Sequence, residues 1–264
     1  MRKPMPFPYE RYETLAEPIT IYYPAGEDML ARWIFQTLDK ASHLLANLLN
    51  LPIPDLEVLL VAPSDWELVP REEDEEVGDP LPYWTDVTSP PSLVIPVELA
   101  AVYGTPTQKK LAFILYHELA LAFLESDPRP WPNENPLWAD EWQLKFAALW
   151  LAHQIDGEQG MVNKDLREIY AELFEPEEDG KTPETIRSFD WYEDTSPEAY
   201  LGYELYLEQF AADLLARYNS NILPRFLSLY RVQRDELLSE DVTAILASVL
   251  DPAGAEWLEN LVYF

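Results

Sequence analysis

Residues 111–124, Leu-Ala-Phe-Ile-Leu-Tyr-His-Glu-Leu-Ala-Leu-Ala-Phe-Leu, form an apolar stretch that is interrupted only by the pair His117-Glu118. This composition predicts a helix that is buried on most of its faces. In such a helix, Leu121 lies one turn after His117 and on the same face. Burying an imidazole and a carboxylate is costly unless both groups find partners. The pair therefore marks a candidate functional site.

A second apolar segment, residues 136–147, places Trp138 three residues before Glu141 and predicts another buried helix. Together the two segments resemble the zinc metallopeptidases of the gluzincin group, which are peptidase MA-like proteins. In that group a helical H-E-x-x-H motif supplies two zinc-binding histidines and a general-base glutamate. A following helix supplies a glutamate as the third ligand, often within Trp-x-x-Glu. Nineteen residues separate Leu121 from Glu141, a spacing that the group uses.

The resemblance implies a role for four residues of this chain. His117 and Glu141 match the zinc ligands, and Glu118 matches the general base. Tyr203 is the nearest candidate by spacing for the tyrosine that the family uses to hydrogen-bond the transition state. The predicted order of strand, long helix, strand and strand before the motif helix also matches the family. The resemblance therefore implies a zincin-like fold.

One position departs from the family motif, because Leu121 stands where the second histidine is expected. A leucine side chain has no lone pair, so His117 and Glu141 alone would form a two-ligand site. Catalytic zinc sites usually have three protein ligands and an open position. His153 follows Glu141 by twelve residues, roughly 18 Å along a helix, and nothing in the sequence brings His43 close. The sequence therefore predicts relic ligands without metal and relic catalytic residues, and no cofactor.

The fold predicted from the whole chain is α+β and predominantly helical. A small mixed α/β N-terminal part, residues 1–126, ends in the motif helix, and residues 127–264 form a helical C-terminal part. Acidic loops are predicted at 72–76 and 175–185. The predicted strands are 19–23, 56–62 and 92–97, and the predicted helices are 28–50, 107–125, 136–153, 197–219, 221–236, 240–250 and 252–262.

The charge of the chain restricts its partners. With 18 Lys and Arg against 48 Asp and Glu, the formal charge is −30. This charge repels phosphate backbones and anionic membrane surfaces, so we expect no binding to nucleic acid. No apolar run approaches the ~20 residues of a membrane span, and the absence of cysteine excludes disulfides and thiolate metal sites. We expect a cytoplasmic protein without membrane insertion.

These observations predict a degenerate zincin that is non-catalytic and acts as a protein-binding or scaffold component, with an unidentified and possibly basic partner. Three alternatives stay open. The chain could be an active zinc metallopeptidase with an unorthodox third ligand. It could be an acidic decoy that competes with nucleic acid for basic proteins. Finally, His117 could be an ordinary core histidine, with Glu118 reaching solvent.

Overall fold

The computed structural model describes residues 7–16, 19–72, 77–101, 104–174, 185–189 and 195–264. The chain divides into two compact units, an N-terminal unit (Met1–Ser126) and a C-terminal unit (Asp127–Phe264). The described strands all belong to the first unit, and the second is helical. The mixed α/β composition predicted from the sequence is therefore confirmed. Within the described ranges, no helix is long and apolar enough to cross a membrane.

A five-stranded mixed sheet forms the centre of the N-terminal unit. Across the sheet, the strands are β1 (Glu13–Leu15), β2 (Thr20–Tyr23), β3 (Glu57–Val61), β5 (Ser92–Pro96) and β4 (Tyr83–Thr85). Strands β2, β3 and β5 are parallel, whereas β1 and β4 run antiparallel at the two edges. Both β3 and β5 are buried on their two faces, as is typical of central parallel strands.

Two long helices pack in the same unit. Helix α1 (Asp28–Leu49) packs against β2 and against α2 (Gln108–Glu125), and α2 also packs against β4. The buried residues of α1, such as Ile34, Leu38 and Leu45, recur at helical spacing, so one stripe of the helix faces the core. The helix ends at Asn50, whose φ of 53° is the left-handed conformation common after a helix.

An aromatic cluster covers part of the sheet. It is built on Leu59 and Val61 of β3 and on Val94 of β5, and these residues contact Phe7 and Tyr12 from the segment before β1. Four partly buried aromatic side chains pack against the cluster: Tyr9, Tyr22, Trp66 and Tyr83. Irregular chain segments therefore contribute to the core of this unit alongside the two helices.

The C-terminal unit is a set of packed helices around Trp142. The helices are α3 (Leu137–Ile155), α4 (Lys164–Ile169), α5 (Pro197–Arg217), α6 (Ile222–Tyr230), α7 (Ser239–Val249) and α8 (Gly254–Glu259). The indole of Trp142 makes edge-to-face contacts with the rings of Phe146, Phe210 and Phe226, 4.9–6.3 Å between centroids. This geometry is the preferred one for aromatic pairs.

Helix α5 carries two buried carboxylates on successive turns, Glu204 and Glu208. Glu204 accepts a hydrogen bond from the ammonium group of Lys145 on α3. Glu208 accepts from the backbone N–H of Val162 and from the backbone and side chain of Asn163. Burial raises the pKa of Glu208 because it disfavours the charged form. The two carboxylates thus connect α5 to α3 and to the loop before α4.

Several elements differ from the sequence predictions. Residues 221–236 are not one helix, because α6 ends at Tyr230 and the guanidinium group of Arg231 then stacks over the Trp131 ring inside the unit. The last helix begins at Gly254, after a turn at Asp251, and ends at Glu259, so it is shorter than predicted at both ends. Strands β1 and β4 were not predicted from the sequence. Residues 73–76 and 175–184 of the predicted acidic loops lie outside the described residues.

Candidate functional site

Helix α2 presents the His117-Glu118 pair in the middle of a continuous helix. The helix begins after Thr107, whose hydroxyl accepts a hydrogen bond from the backbone N–H of Lys110, a common N-terminal cap. Most of its remaining residues are buried, as the apolar sequence predicts. The side chains of His117 and Glu118 are 17% and 13% exposed. Both side chains are therefore partly buried, and each keeps a small contact with solvent.

Both carboxylate oxygens of Glu118 are engaged in hydrogen bonds. Oε1 lies 3.2 Å from His117 Nδ1, and because an ionised carboxylate can only accept, the imidazole donates. Oε2 accepts from the backbone N–H of Trp84 on β4 at 2.9 Å. The carboxylate that matches a general base thus joins the motif helix to the edge of the sheet.

The hydrogen bond between Trp84 and Glu118 satisfies a backbone N–H on an edge strand of the sheet. In an antiparallel pair, successive residues direct their N–H and C=O groups alternately toward and away from the neighbouring strand. Trp84 is opposite Leu93 of β5, and its N–H donates to Glu118 instead of to the sheet. The amides of Tyr83 and Thr85 then face β5. Glu118 therefore takes the outward-facing N–H of a strand that is only three residues long.

The donor atoms around His117 in the N-terminal unit do not fit a zinc ion. Leu121 is four residues further along the same unbroken helix, in the position where the motif requires a second imidazole. Its side chain is aliphatic, and the neighbouring Glu118 carboxylate is engaged by Trp84. Within the part of the chain that the structure describes, no group of three or more His, Asp or Glu side chains is arranged to hold a metal ion.

The other two predicted residues belong to the C-terminal unit. Glu141 is on α3, and Tyr203 is on α5 with its ring stacked on Phe189 at 4.1 Å between centroids. Burial, and then the carboxylates of Glu141 and Glu204, raise the pKa of Tyr203, so its hydroxyl stays protonated. A scan against models of known protein families and a search of curated proteins found no match to this chain.

Asp140 precedes Glu141 and anchors the start of α3. Its carboxylate accepts hydrogen bonds from the Tyr230 hydroxyl at 2.8 Å and from the Asn135 side-chain amide at 2.7 Å. Burial raises the pKa of Asp140 to about 6, although both hydrogen bonds favour the charged form. Asp140 therefore has a structural role, and it holds the first turn of α3 against α6.

Trp84 is the residue of this site that the sequence did not indicate. Its strand is very short and follows Pro80 and Pro82, and the sequence predicted no strand between residues 62 and 92. A usable signal existed in Tyr83-Trp84-Thr85, because aromatic and β-branched residues favour strands. The sequence could not identify Trp84 as the partner of Glu118, because the bond uses a backbone N–H, which every residue except proline has.

The Glu118–Trp84 bond is expected to stabilise the N-terminal unit measurably. Glu118→Ala leaves a partly buried N–H without its acceptor, so the free energy of unfolding should fall by about 1–3 kcal/mol. Glu118→Gln should lose less of the free energy of unfolding, because its amide oxygen can still accept the hydrogen bond from the Trp84 N–H. Urea denaturation measures both changes, and hydrogen exchange of the Trp84 amide should accelerate in Glu118→Ala.

Gln108→Ala is the matched control, because Gln108 is the exposed first residue of the same helix. It should change the free energy of unfolding by less than about 0.5 kcal/mol. If Glu118→Ala is as stable as this control and its Trp84 amide stays protected, the hydrogen bond contributes nothing.

Proposed function

We propose that this protein is a zincin-like, non-catalytic relative of the metallopeptidases and that it acts by binding another protein, as a partner or scaffold component. The motif segments around His117-Glu118 and Trp138–Glu141 support the relationship. The strands and α-helices from β2 to α2 follow the order β2, α1, β3, β4, β5 and α2. This order contains the strand, long helix, strand and strand that the resemblance implies, with the short strand β4 in addition, and it supports the relationship further. We place the protein in the cytoplasm on the basis of its sequence.

The observation that carries the non-catalytic assignment is the state of Glu118. A general base must be within reach of the water or substrate proton that it removes. Here one oxygen of Glu118 accepts from the backbone of β4 and the other from His117. With Leu121 in the second ligand position, no zinc-bound water is expected beside it. Glu118 has a structural bond where the metallopeptidases have a reactive carboxylate.

A protein-binding role is the proposal that fits a folded, strongly acidic chain without catalytic activity. The fold keeps a fully formed N-terminal sheet and a helical C-terminal unit, and the formal charge of −30 favours a basic protein over an acidic one. The competing proposal, an active metallopeptidase with an unorthodox third ligand, requires bound zinc. Metal content therefore separates the two.

The test is elemental analysis of protein purified without chelator, together with a fluorogenic peptide-cleavage assay. We expect far less than one zinc ion per chain and no cleavage that a chelator inhibits. His117→Ala is the matched control, and its metal content should equal that of the parent. Stoichiometric zinc that His117→Ala abolishes would overturn the proposal in favour of the active enzyme.

A further inference from the structure

A groove runs along the N-terminal unit at the carboxyl ends of β3 and β5. Val61 and Pro96, the last residues of these two parallel strands, line a cavity of about 260 Å³. A second cavity of about 350 Å³ extends toward Tyr83. Trp66 is the residue that the two linings share, and the two cavities together form this groove, the Trp66 groove. Crevices beyond the carboxyl ends of parallel strands are the usual position of binding sites in sheets of this kind.

The Trp66 side chain, which lines both cavities of the Trp66 groove, is held in place by its neighbours. The indole N–H of Trp66 donates to the carbonyl oxygen of Gly78 at 3.2 Å. The Tyr83 ring meets the indole edge to face, 6.1 Å between centroids. Arg71 donates to the carbonyl oxygen of Trp66 at 3.2 Å. A fixed aromatic wall loses little conformational entropy when a ligand binds.

The rim of the Trp66 groove is acidic. Glu98 is the charged residue that lines the smaller cavity, and Asp79 and Arg71 line the larger one. The guanidinium of Arg71 donates to the carbonyl oxygens of Val69 and Trp66. Asp79 and Glu98 are exposed, and neither side chain forms a hydrogen bond or ion pair with a described residue. These two carboxylates outnumber the one guanidinium, so the charged side chains that line the groove carry a net negative charge.

We propose that the Trp66 groove binds an extended, basic segment of a partner protein. One apolar side chain enters each cavity, on either side of the Trp66 ring, and Lys or Arg residues between or beside them face Asp79 and Glu98. Aromatic-walled grooves of this type recognise extended peptides, and complementary charge adds selectivity. The inference rests on the proposed protein-binding role, but not on the loss of the zinc ligand.

Two variants test the groove without removing a core side chain. Gly78 lines the larger cavity, its φ is not in the left-handed region, and an added Cβ meets no described atom within 4 Å. Gly78→Leu should therefore fold normally and fill part of the groove. The double variant Asp79→Asn/Glu98→Gln removes both rim charges. Its matched control is Asp55→Asn/Glu168→Gln, which neutralises two exposed carboxylates outside the groove.

The probe is a phage-displayed library of random twelve-residue peptides, selected on the parent protein. We expect enriched peptides that carry a net positive charge and at least two apolar residues. The most enriched peptide, made synthetically and measured by fluorescence anisotropy, should bind Gly78→Leu about tenfold more weakly, a loss of one filled apolar pocket. The Asp79→Asn/Glu98→Gln variant should bind about fivefold more weakly, as expected for two exposed charge pairs. The control should bind like the parent, and added salt should weaken parent binding.

The inference is overturned if no peptide is enriched, if the enriched peptides are acidic, or if Gly78→Leu binds them as tightly as the parent. If the enriched peptides bind at another surface, Gly78→Leu will bind them as tightly as the parent does, so this case also overturns the inference. None of these results affects the zinc measurement, which concerns His117 and Leu121. Zinc in the parent protein would likewise overturn the non-catalytic assignment and leave the groove test unchanged.

Discussion

Leu121→His should raise the zinc content of the purified protein from far below one ion to about one ion per chain. Residues 117 and 121 are four positions apart in the unbroken helix α2, so the substitution creates the i, i+4 histidine pair of the motif. Helix rigidity holds such a pair in place, and the proposed relationship to the metallopeptidases predicts Glu141 as the third ligand. Elemental analysis measures the gain. The melting temperature should also rise with added zinc, because zinc then binds the folded chain.

Three controls define what the added histidine does. Leu121→Gln introduces a polar group of similar size without a strong zinc ligand, and it should bind no more zinc than the parent. Leu121→His/His117→Ala and Leu121→His/Glu141→Gln each remove one expected ligand, and each should lose most of the gain. If Leu121→His folds normally and binds no zinc, the resemblance to the metallopeptidases does not extend to the geometry of the site.

Much of the fold could be predicted because the patterns are long. The amphipathic stripe of α1 and the apolar runs of β3, α2 and α3 extend over several turns or a whole strand, so their existence and type follow from periodicity and length. The end of α6 could not be predicted in the same way. Residues 231–236 have helix-compatible composition, and the helix stops because Arg231 packs over Trp131, a contact between residues one hundred positions apart.

The sequence identified the residues of the candidate site, but it could not identify the hydrogen bonds that they form. His117-Glu118 stands out because charged and polar groups are rare in an apolar helix. The partner of Glu118 is a backbone amide in a three-residue strand, and such a strand has almost no pattern of its own. Leu121 could be recognised as a departure because the motif has a fixed spacing. The Trp66 groove could not be foreseen, since it depends on how two loops pack beside the ends of β3 and β5.

The buried ion pair of the C-terminal unit was also invisible in sequence. Lys145 lies within an apolar segment and Glu204 within an amphipathic one, and either could have faced solvent. Their side chains are 10% and 7% exposed and form a salt bridge between α3 and α5. Only the packing of the two helices shows that the groups meet. The pair therefore provides a test of how α3 packs against α5.

Lys145→Ala should lower the free energy of unfolding by about 3–5 kcal/mol, because it leaves buried carboxylate charge without its partner. Glu204 loses the hydrogen bond from the ammonium group, and Glu208 loses a nearby positive charge. Lys145→Met/Glu204→Leu should recover most of the loss, since apolar residues of similar size avoid the cost of buried charge. Urea denaturation measures the three proteins. Lys40→Ala, an exposed lysine within helix α1, is the matched control and should cost less than about 0.5 kcal/mol.

The pH dependence distinguishes this electrostatic cause from a simple loss of packing. Burial raises the pKa of Glu208, and the charge of Lys145 opposes that rise. Removing Lys145 should raise this pKa further, so the folded variant takes up a proton at a higher pH than the unfolded chain. An acid whose pKa is raised on folding gives stability that is complete at low pH and is lost as the pH rises. The difference between Lys145→Ala and the parent should therefore be largest near pH 7 and should shrink as the pH falls toward the ordinary range of glutamate. A difference that stays constant with pH would assign the loss to the missing side-chain contacts of Lys145 instead.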